Sequence, residues 1–306
     1  MELVLTEDQE LLAKTAMDFV RTRSPVSRMR ALRDAQDPLG FSRALWKEMA
    51  ELGWVGILIP EAYGGAGMGL ADLAVVLEAL GRTLAPEPFL STVLLGGQLL
   101  TSAGSEEQKQ TWLPGIASGD KILTVAYQEA HSRHDLNRVA TKAEQQGASW
   151  ILSGEKIQVL DGHTADGLIV SARTAGGQND PDGVSLFLVP RDTPGLTVTR
   201  QHRIDSRPVA LVSLNGVKVD SESIIGPLGD GFKLLSQVVD RATVGLCAEM
   251  LGGMSQIFDD TLNYLKTRQQ FGTLIGTFQA LKHRAARLFM DIELARSSAM
   301  AAARAA

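Results

Sequence analysis

The sequence predicts an α+β protein: an N-terminal helical domain, a central antiparallel β-barrel or sandwich, and an incomplete C-terminal helical bundle. Three observations predict it. Apolar residues recur at helical spacing through roughly the first hundred positions. From about Lys121 to Val219 the chain turns to short β-rich runs cut by Gly, Asp, Asn and Pro. After the string GPLGDG helical spacing returns and holds to the end. The boundaries read as 1–120, 121–230 and 231–306.

Thr6, followed by Glu7 and Asp8, starts a helix whose apolar positions are Leu11, Leu12, Ala16, Phe19 and Val20. A second helix carries Leu45, Trp46, Met49 and Leu52 and stops at Gly53. The string GWVGILIPEAYGGAGMG then meets Pro60 and a cluster of glycines, which is loop chemistry. Leu70–Leu80 and Phe89–Ala103 are helical by spacing, and Ser105 caps a short helix that Pro114 should end. The runs ILTVAY, VATKAE, SWILSGEKIQVL, GLIVSART, VSLFLVP, LTVTR and VALVSLNGVKV read as strands. Phe232–Gln269 and Phe278–Ala306 are two long amphipathic helices. Two such helices leave apolar faces that two more would complete, so either a chain cut short or a partner that supplies the cover is expected.

Composition excludes several classes. With 306 residues, 44% of them hydrophobic, the chain has material for a substantial core. Its net charge of −5 is of mixed sign, so no basic surface points to nucleic acid or an anionic membrane. One cysteine, Cys247, allows no internal disulfide and reads as a small buried residue in a reducing compartment. The N-terminus is acidic from Glu2 onward, unlike a secretory or transit leader, and apolar stretches break well before the ~20 residues that span a bilayer. The expected location is the cytoplasm, with no membrane partner. His163, His202 and His283 lack metal-ligand spacing, so no metal site is expected.

Helical, β and helical segments in this order resemble the acyl-CoA dehydrogenase family, and several strings agree. WKEMAELGWVGILIPEAYGGAGM, GSEEQKQTWLP, TKAE, SGEK and IIGPLGDGF sit at matching places. Most diagnostic is TRQQFGTLIGTFQALKHRAA, similar to the family's R-x-x-F-G followed by I-x-x-F-Q. The resemblance implies FAD as cofactor, an acyl-CoA substrate, an electron-transfer flavoprotein as acceptor, and a homo- or hetero-oligomer, dimer or tetramer.

It also implies roles for residues. Arg268 would approach the flavin pyrophosphate of a neighbouring subunit, its planar fork suiting phosphate oxygens, with Phe271 and Gln279 near the adenosine end. On spacing alone Arg268 reads instead as a solvated helix-end arginine and Phe271 as a core residue. AYQEAHSRHDL stands where the family has a T-E-P-x-x-G-S-D type loop lining flavin and acyl-CoA. Glu129 and Asp135 match, while Gln128 replaces Thr, Ala130 Pro, Arg133 Gly and His134 Ser. Arg133 and His134 could bind a phosphate or a carboxylate on the acyl chain, or form an exposed polar loop. In KIQVLDG, Gln158 replaces the family's tryptophan and Leu160 its threonine, both near the flavin. The glutamate base of family members falls beyond Ala306 or on Ala242, which cannot act as one. The catalytic residue is therefore unassigned. Asp240 and Arg241 are expected CoA contacts, or else a solvated helix pair.

The expected function is an FAD-dependent acyl-CoA dehydrogenase subunit that passes hydride to flavin N5. The alternatives are a non-catalytic structural partner in a heteromeric dehydrogenase, and flavin-dependent oxidation of a substrate that is not a CoA ester.

Overall fold

A computed structural model describes residues 4–306, so the leader argument from Glu2 falls outside the described residues. The chain forms two compact units: Met1–Ala31, Gly69–Ala85 and Thr243–Ala306 in one, Leu32–Met68 and Pro86–Ala242 in the other.

The helical unit starts with α1 (Glu7–Arg23), which Thr6 caps as its sequence suggests. The Gln9 N–H donates to Thr6 Oγ1 at 3.2 Å, and the Gln9 side chain accepts from the Thr6 N–H. A helix absent from the sequence-based expectation follows, α2 (Val26–Asp34). It is nine residues long and buries none of them fully, its apolar Val26, Met29 and Leu32 being half-buried. The sheet unit then contributes α3 (Arg43–Glu51), and the helical unit resumes with α4 (Leu70–Arg82). Asp72 of α4 accepts from the Gln9 side chain at 2.9 Å. α4 crosses one of the two long C-terminal helices, α7 (Gly231–Thr267), at glycines: a Cβ on Gly81 would stand 1.9 Å from the Glu249 carbonyl oxygen, and one on Gly252 1.9 Å from that of Glu78. The second long helix, α8 (Gln279–Ala305), adds Arg296, which pairs with Glu78.

In the sheet unit Phe89–Gly97 is π-helical, a rare form enriched at functional sites, and continues into α5 (Gln98–Ala103). Ser105 caps α6 (Glu106–Ala117), but Pro114 lies inside that helix rather than ending it. A proline in the last turn forfeits only the bond to the Gln110 carbonyl, and Gln110 is exposed to water.

All seven predicted strands form: β1 (Leu123–Ala126), β2 (Lys142–Gln146), β3 (Ser149–Leu160), β4 (Gly167–Arg173), β5 (Val184–Pro190), β6 (Leu196–Gln201) and β7 (Val209–Asp220). A two-residue β8 (Ile224–Ile225) is added. Their order is β6-β7-β3-β2-β4-β5-β8, with β1 beside β4. The expected antiparallel barrel or sandwich is corrected on two points. The path stays open, because β6 is a half-exposed edge and β8 ends at Gly226 and Pro227 before it can pair further. The sheet is also mixed, since β1 and β2 both run parallel to β4. Trp150, Leu152, Leu168, Val170, Phe187, Val189, Val212 and Val217 form its core.

Short β9 (Gln269–Gln270) and β10 (Thr273–Leu274) make a hairpin after α7. Cys247 is exposed on α7, not buried as expected. Among the described residues, no helix is long and apolar enough to cross a membrane.

Candidate functional site

The sheet unit gathers three of the sequence-predicted residues at one place. β1 ends at Ala126 and runs into Tyr127 and Gln128, whose carbonyl accepts from the Ile157 N–H of β3 at 2.8 Å. Here β3 is irregular: Lys156 pairs with Val212 and Val159 with Ala210, so Ile157 and Gln158 together oppose one residue of β7. Gln158 takes φ +52° at this bulge and its side chain is exposed. Leu160, half-buried, closes the segment, and its carbonyl accepts from Thr124 Oγ1 at 2.6 Å. Gln128, Gln158 and Leu160 therefore share one rim of the sheet.

Polar groups to which the sequence alone assigns no role hold this rim at both ends. At one end Lys156, fully buried, donates to Glu129 Oε1 at 2.6 Å and to Ser171 Oγ at 3.0 Å. Burial pushes the Lys156 ammonium down to about 8, against the pull of Glu129. Burial raises the Glu129 carboxyl, but the charge and hydrogen bond of Lys156, with Thr141 and Ala140, outweigh it and hold it below the usual range. At the other end Asp161, also buried, takes φ +52° and accepts from Ser91 Oγ of the π-helical segment at 2.5 Å. Burial pushes the Asp161 carboxyl up to about 6 despite Ser91 and Arg207, with Glu87 adding to the rise. Lys156 lies within β3 among polar Ser153, Glu155 and Gln158, and Asp161 lies in the turn after it, so the sequence carries no signal that sets either apart.

Arg133 and His134 lie exposed on the loop that follows Glu129, Arg133 at φ +50°. Asp240 is exposed and Arg241 half-buried on α7, and Ala242 beside them is buried.

In the helical unit Arg268, Phe271 and Gln279 form a second group. Phe271 and Gly272 are the central residues of the β9–β10 turn, at φ +55° and +74°, the pattern of a type I′ hairpin. Phe271 is 92% exposed, which corrects its reading as a core residue: a turn tip points away from the unit that carries it. Its ring meets Phe278 edge-on at 6.1 Å. Arg268 and Gln279 are exposed beside it. The same unit holds an apolar cavity of ≈ 180 Å³ lined by Met17, Ala79, Leu251 and Met300 among others, and none of the candidate residues lines it.

Helices, a mixed sheet, then two long helices joined through a hairpin define a three-segment α+β protein of the expected layout. Comparison with known proteins gives the family. Residues 6–120, 124–217 and 229–306 match the models described as acyl-CoA dehydrogenase N-terminal, middle and C-terminal domains. The chain is 31% identical over 310 residues to probable acyl-CoA dehydrogenase YngJ of Bacillus subtilis, covering 99% of this chain and 80% of that protein. It is 31% identical over 299 residues to the mitochondrial short-chain specific acyl-CoA dehydrogenase of Homo sapiens, covering 95% and 71%. Among solved structures it resembles the ChsE4-ChsE5 complex from Mycobacterium tuberculosis, with a TM-score of 0.87 at 31% identity over 99% of this chain and 79% of that one. It also resembles glutaryl-coenzyme A dehydrogenase in its glutaryl-CoA complex, with a TM-score of 0.90 at 27% identity over 99% and 78%. The chain belongs to the acyl-CoA dehydrogenase family, whose members are FAD-dependent oxidoreductases.

Proposed function

We propose that this chain is an FAD-dependent acyl-CoA dehydrogenase subunit that works with a second, dissimilar subunit, each flavin being bounded by both. The observation that carries this reading is the hairpin. An aromatic residue that is both 92% exposed and held at positive φ is unfavourable on an isolated chain, and it gains a purpose when a neighbour's ligand covers it. The side chains present fit FAD in their chemistry. Gln128 and Gln158 offer amide donors and acceptors to the polar edge of a flavin ring, and Leu160 offers an apolar contact. On the neighbour's nucleotide, Arg268 suits the pyrophosphate, with Phe271 and Gln279 toward the adenosine. FAD, when bound, supplies the hydride acceptor for the β-hydrogen of the acyl thioester.

The chain's own residues bind and orient. Arg133 and His134 recognise an anionic group of the substrate, and Asp240 with Arg241 contact the CoA portion. The α-proton needs a carboxylate base, and Ala242 has no group for it. The ChsE4-ChsE5 complex is a solved relative made of two differently named chains and supports the pairing of dissimilar subunits. Electrons then leave to an electron-transfer flavoprotein.

The test compares visible spectra and acyl-CoA turnover of the purified chain alone and of the chain co-purified with its second subunit. Flavin and turnover are expected only in the pair; a stoichiometric flavin band with turnover from the chain alone contradicts the proposal. The same loss of tryptophan and threonine at Gln158 and Leu160 favours a second reading, a structural partner without flavin. That reading requires the assembled pair to hold flavin only at sites that exclude this chain.

A further inference from the structure

We propose that the buried Glu129–Lys156 ion pair is a positioning device that closes the loop 130–140 at both ends and locks it to β3. In this way it keeps Gln128 and the Ile157–Gln158 bulge in one arrangement for FAD. The inference rests on the flavin reading above and adds the residues that shape that site.

Four donors meet the Glu129 carboxylate: the Ala140 N–H at 2.8 Å on Oε2, and the Thr141 N–H at 3.1 Å, Thr141 Oγ1 at 2.7 Å and Lys156 Nζ at 2.6 Å on Oε1. Glu129 stands at the start of the loop, and Ala140 and Thr141 stand at its end, so one carboxylate draws both ends together. Ser132 tightens the entry, its hydroxyl oxygen accepting from the Glu129 N–H at 2.9 Å. The loop so closed carries Arg133 and His134. Lys156 extends the network to Ser171 on β4 at 3.0 Å, which ties the loop to the middle of the sheet.

The pair sits one residue away from both halves of the rim. Gln128 immediately precedes Glu129, Ile157 immediately follows Lys156, and the two are joined by the 2.8 Å backbone hydrogen bond. A shift of the ion pair therefore shifts the rim. Two further features argue for geometry over stability. Taking both charges out of water is costly, and well-packed apolar residues in such a place are commonly as stable or more so. A buried hydrogen-bonded network, by contrast, specifies one arrangement because alternatives leave buried groups unpaired. The surrounding sheet core is apolar, so the sequence had Leu, Val and Phe available for this role and uses an ion pair instead.

The test uses the assembled protein carrying Glu129→Leu with Lys156→Met, which replaces both charges by apolar side chains of similar length and leaves neither unpaired. Loop amides are followed by hydrogen exchange without flavin, and FAD affinity is measured separately by titration. The expected result is a native circular-dichroism spectrum, exchange of the 130–140 amides faster by about tenfold or more, and FAD bound at least about tenfold more weakly. Thr141→Val removes a single donor to Glu129. It is expected to speed loop exchange about threefold, which decides the matter should the double variant not fold. Unchanged loop exchange in the folded double variant, or in Thr141→Val, overturns the proposal. Faster exchange with undiminished FAD affinity overturns its link to the cofactor site. A parent assembly that holds no FAD overturns the flavin reading instead, and loop exchange still decides whether the pair is a clamp.

Discussion

Asp161 sits in an environment that departs far from its ordinary chemistry. It is buried against Ser91, with Arg207 and Glu87 as the charged groups facing it, and its pKa rises from 3.8 to about 6. A carboxyl that binds its proton more tightly in the folded state favours folding below the lower value. That contribution fades as pH climbs through the upper one. At neutral pH the buried charge costs at most about 3 kcal/mol, two units at ~1.4 kcal/mol each. Asp161→Asn keeps a partner for Ser91 and does not titrate. We predict that the parent's urea midpoint falls relative to the variant's between about pH 4 and pH 7, the interval that spans both pKa values; parallel pH profiles for the two proteins contradict this. Residues of this kind were the least legible in the sequence. Lys156 stood in SGEK, a string that carries the family resemblance, and Asp161 in KIQVLDG, which departs from it, yet nothing in their spacing says whether a charge faces water or a partner. That is decided by Ser91, Glu129 and Thr141, which are distant in sequence.

Among the elements, strands were read well because turn residues punctuate them and their apolar runs are buried along the whole length of β4 and nearly all of β5. Elements whose formation depends on neighbours were not. α2 buries no residue fully, and the π-helical turn at Phe89–Gly97 has the composition of an ordinary helix. The crossing of α4 and α7 is another such feature: Gly81 and Gly252 each face the partner helix's backbone where a methyl would overlap it. Gly252→Ala is predicted to destabilise the protein by roughly 1–3 kcal/mol through overpacking, seen as a lower urea midpoint. An unchanged midpoint refutes the close approach. The β9–β10 hairpin yields an opposite kind of prediction. Asn-Gly is the preferred pair for a type I′ turn, so Phe271→Asn should leave the thermal midpoint equal or higher. FAD retention of the assembled protein should nevertheless fall by about tenfold or more, as expected when a well-covered aromatic contact is lost. A lower midpoint, or full retention, contradicts a functional reason for the strained phenylalanine.

At the scale of the whole molecule, the segment order was legible from periodicity alone, and the family followed from strings spread across the chain. The open sheet was not legible, since closure depends on where edge strands stop. Met250, Met254 and Ile257 of α7 and Leu288, Phe289 and Leu294 of α8 remain exposed on the isolated chain, close in sequence to the exposed Arg268, Phe271 and Gln279. If these faces and the hairpin meet a neighbouring subunit and its nucleotide, assembly and cofactor retention become a single event. Sedimentation velocity followed at the flavin absorbance band tests this most directly, with parent and Arg268→Ala compared in the presence of the second subunit. Flavin absorbance is predicted to sediment only with the multi-chain species, and Arg268→Ala is predicted to keep that species while stripping its flavin. Flavin sedimenting with a single chain, or an Arg268→Ala assembly that retains its full complement, contradicts the coupling.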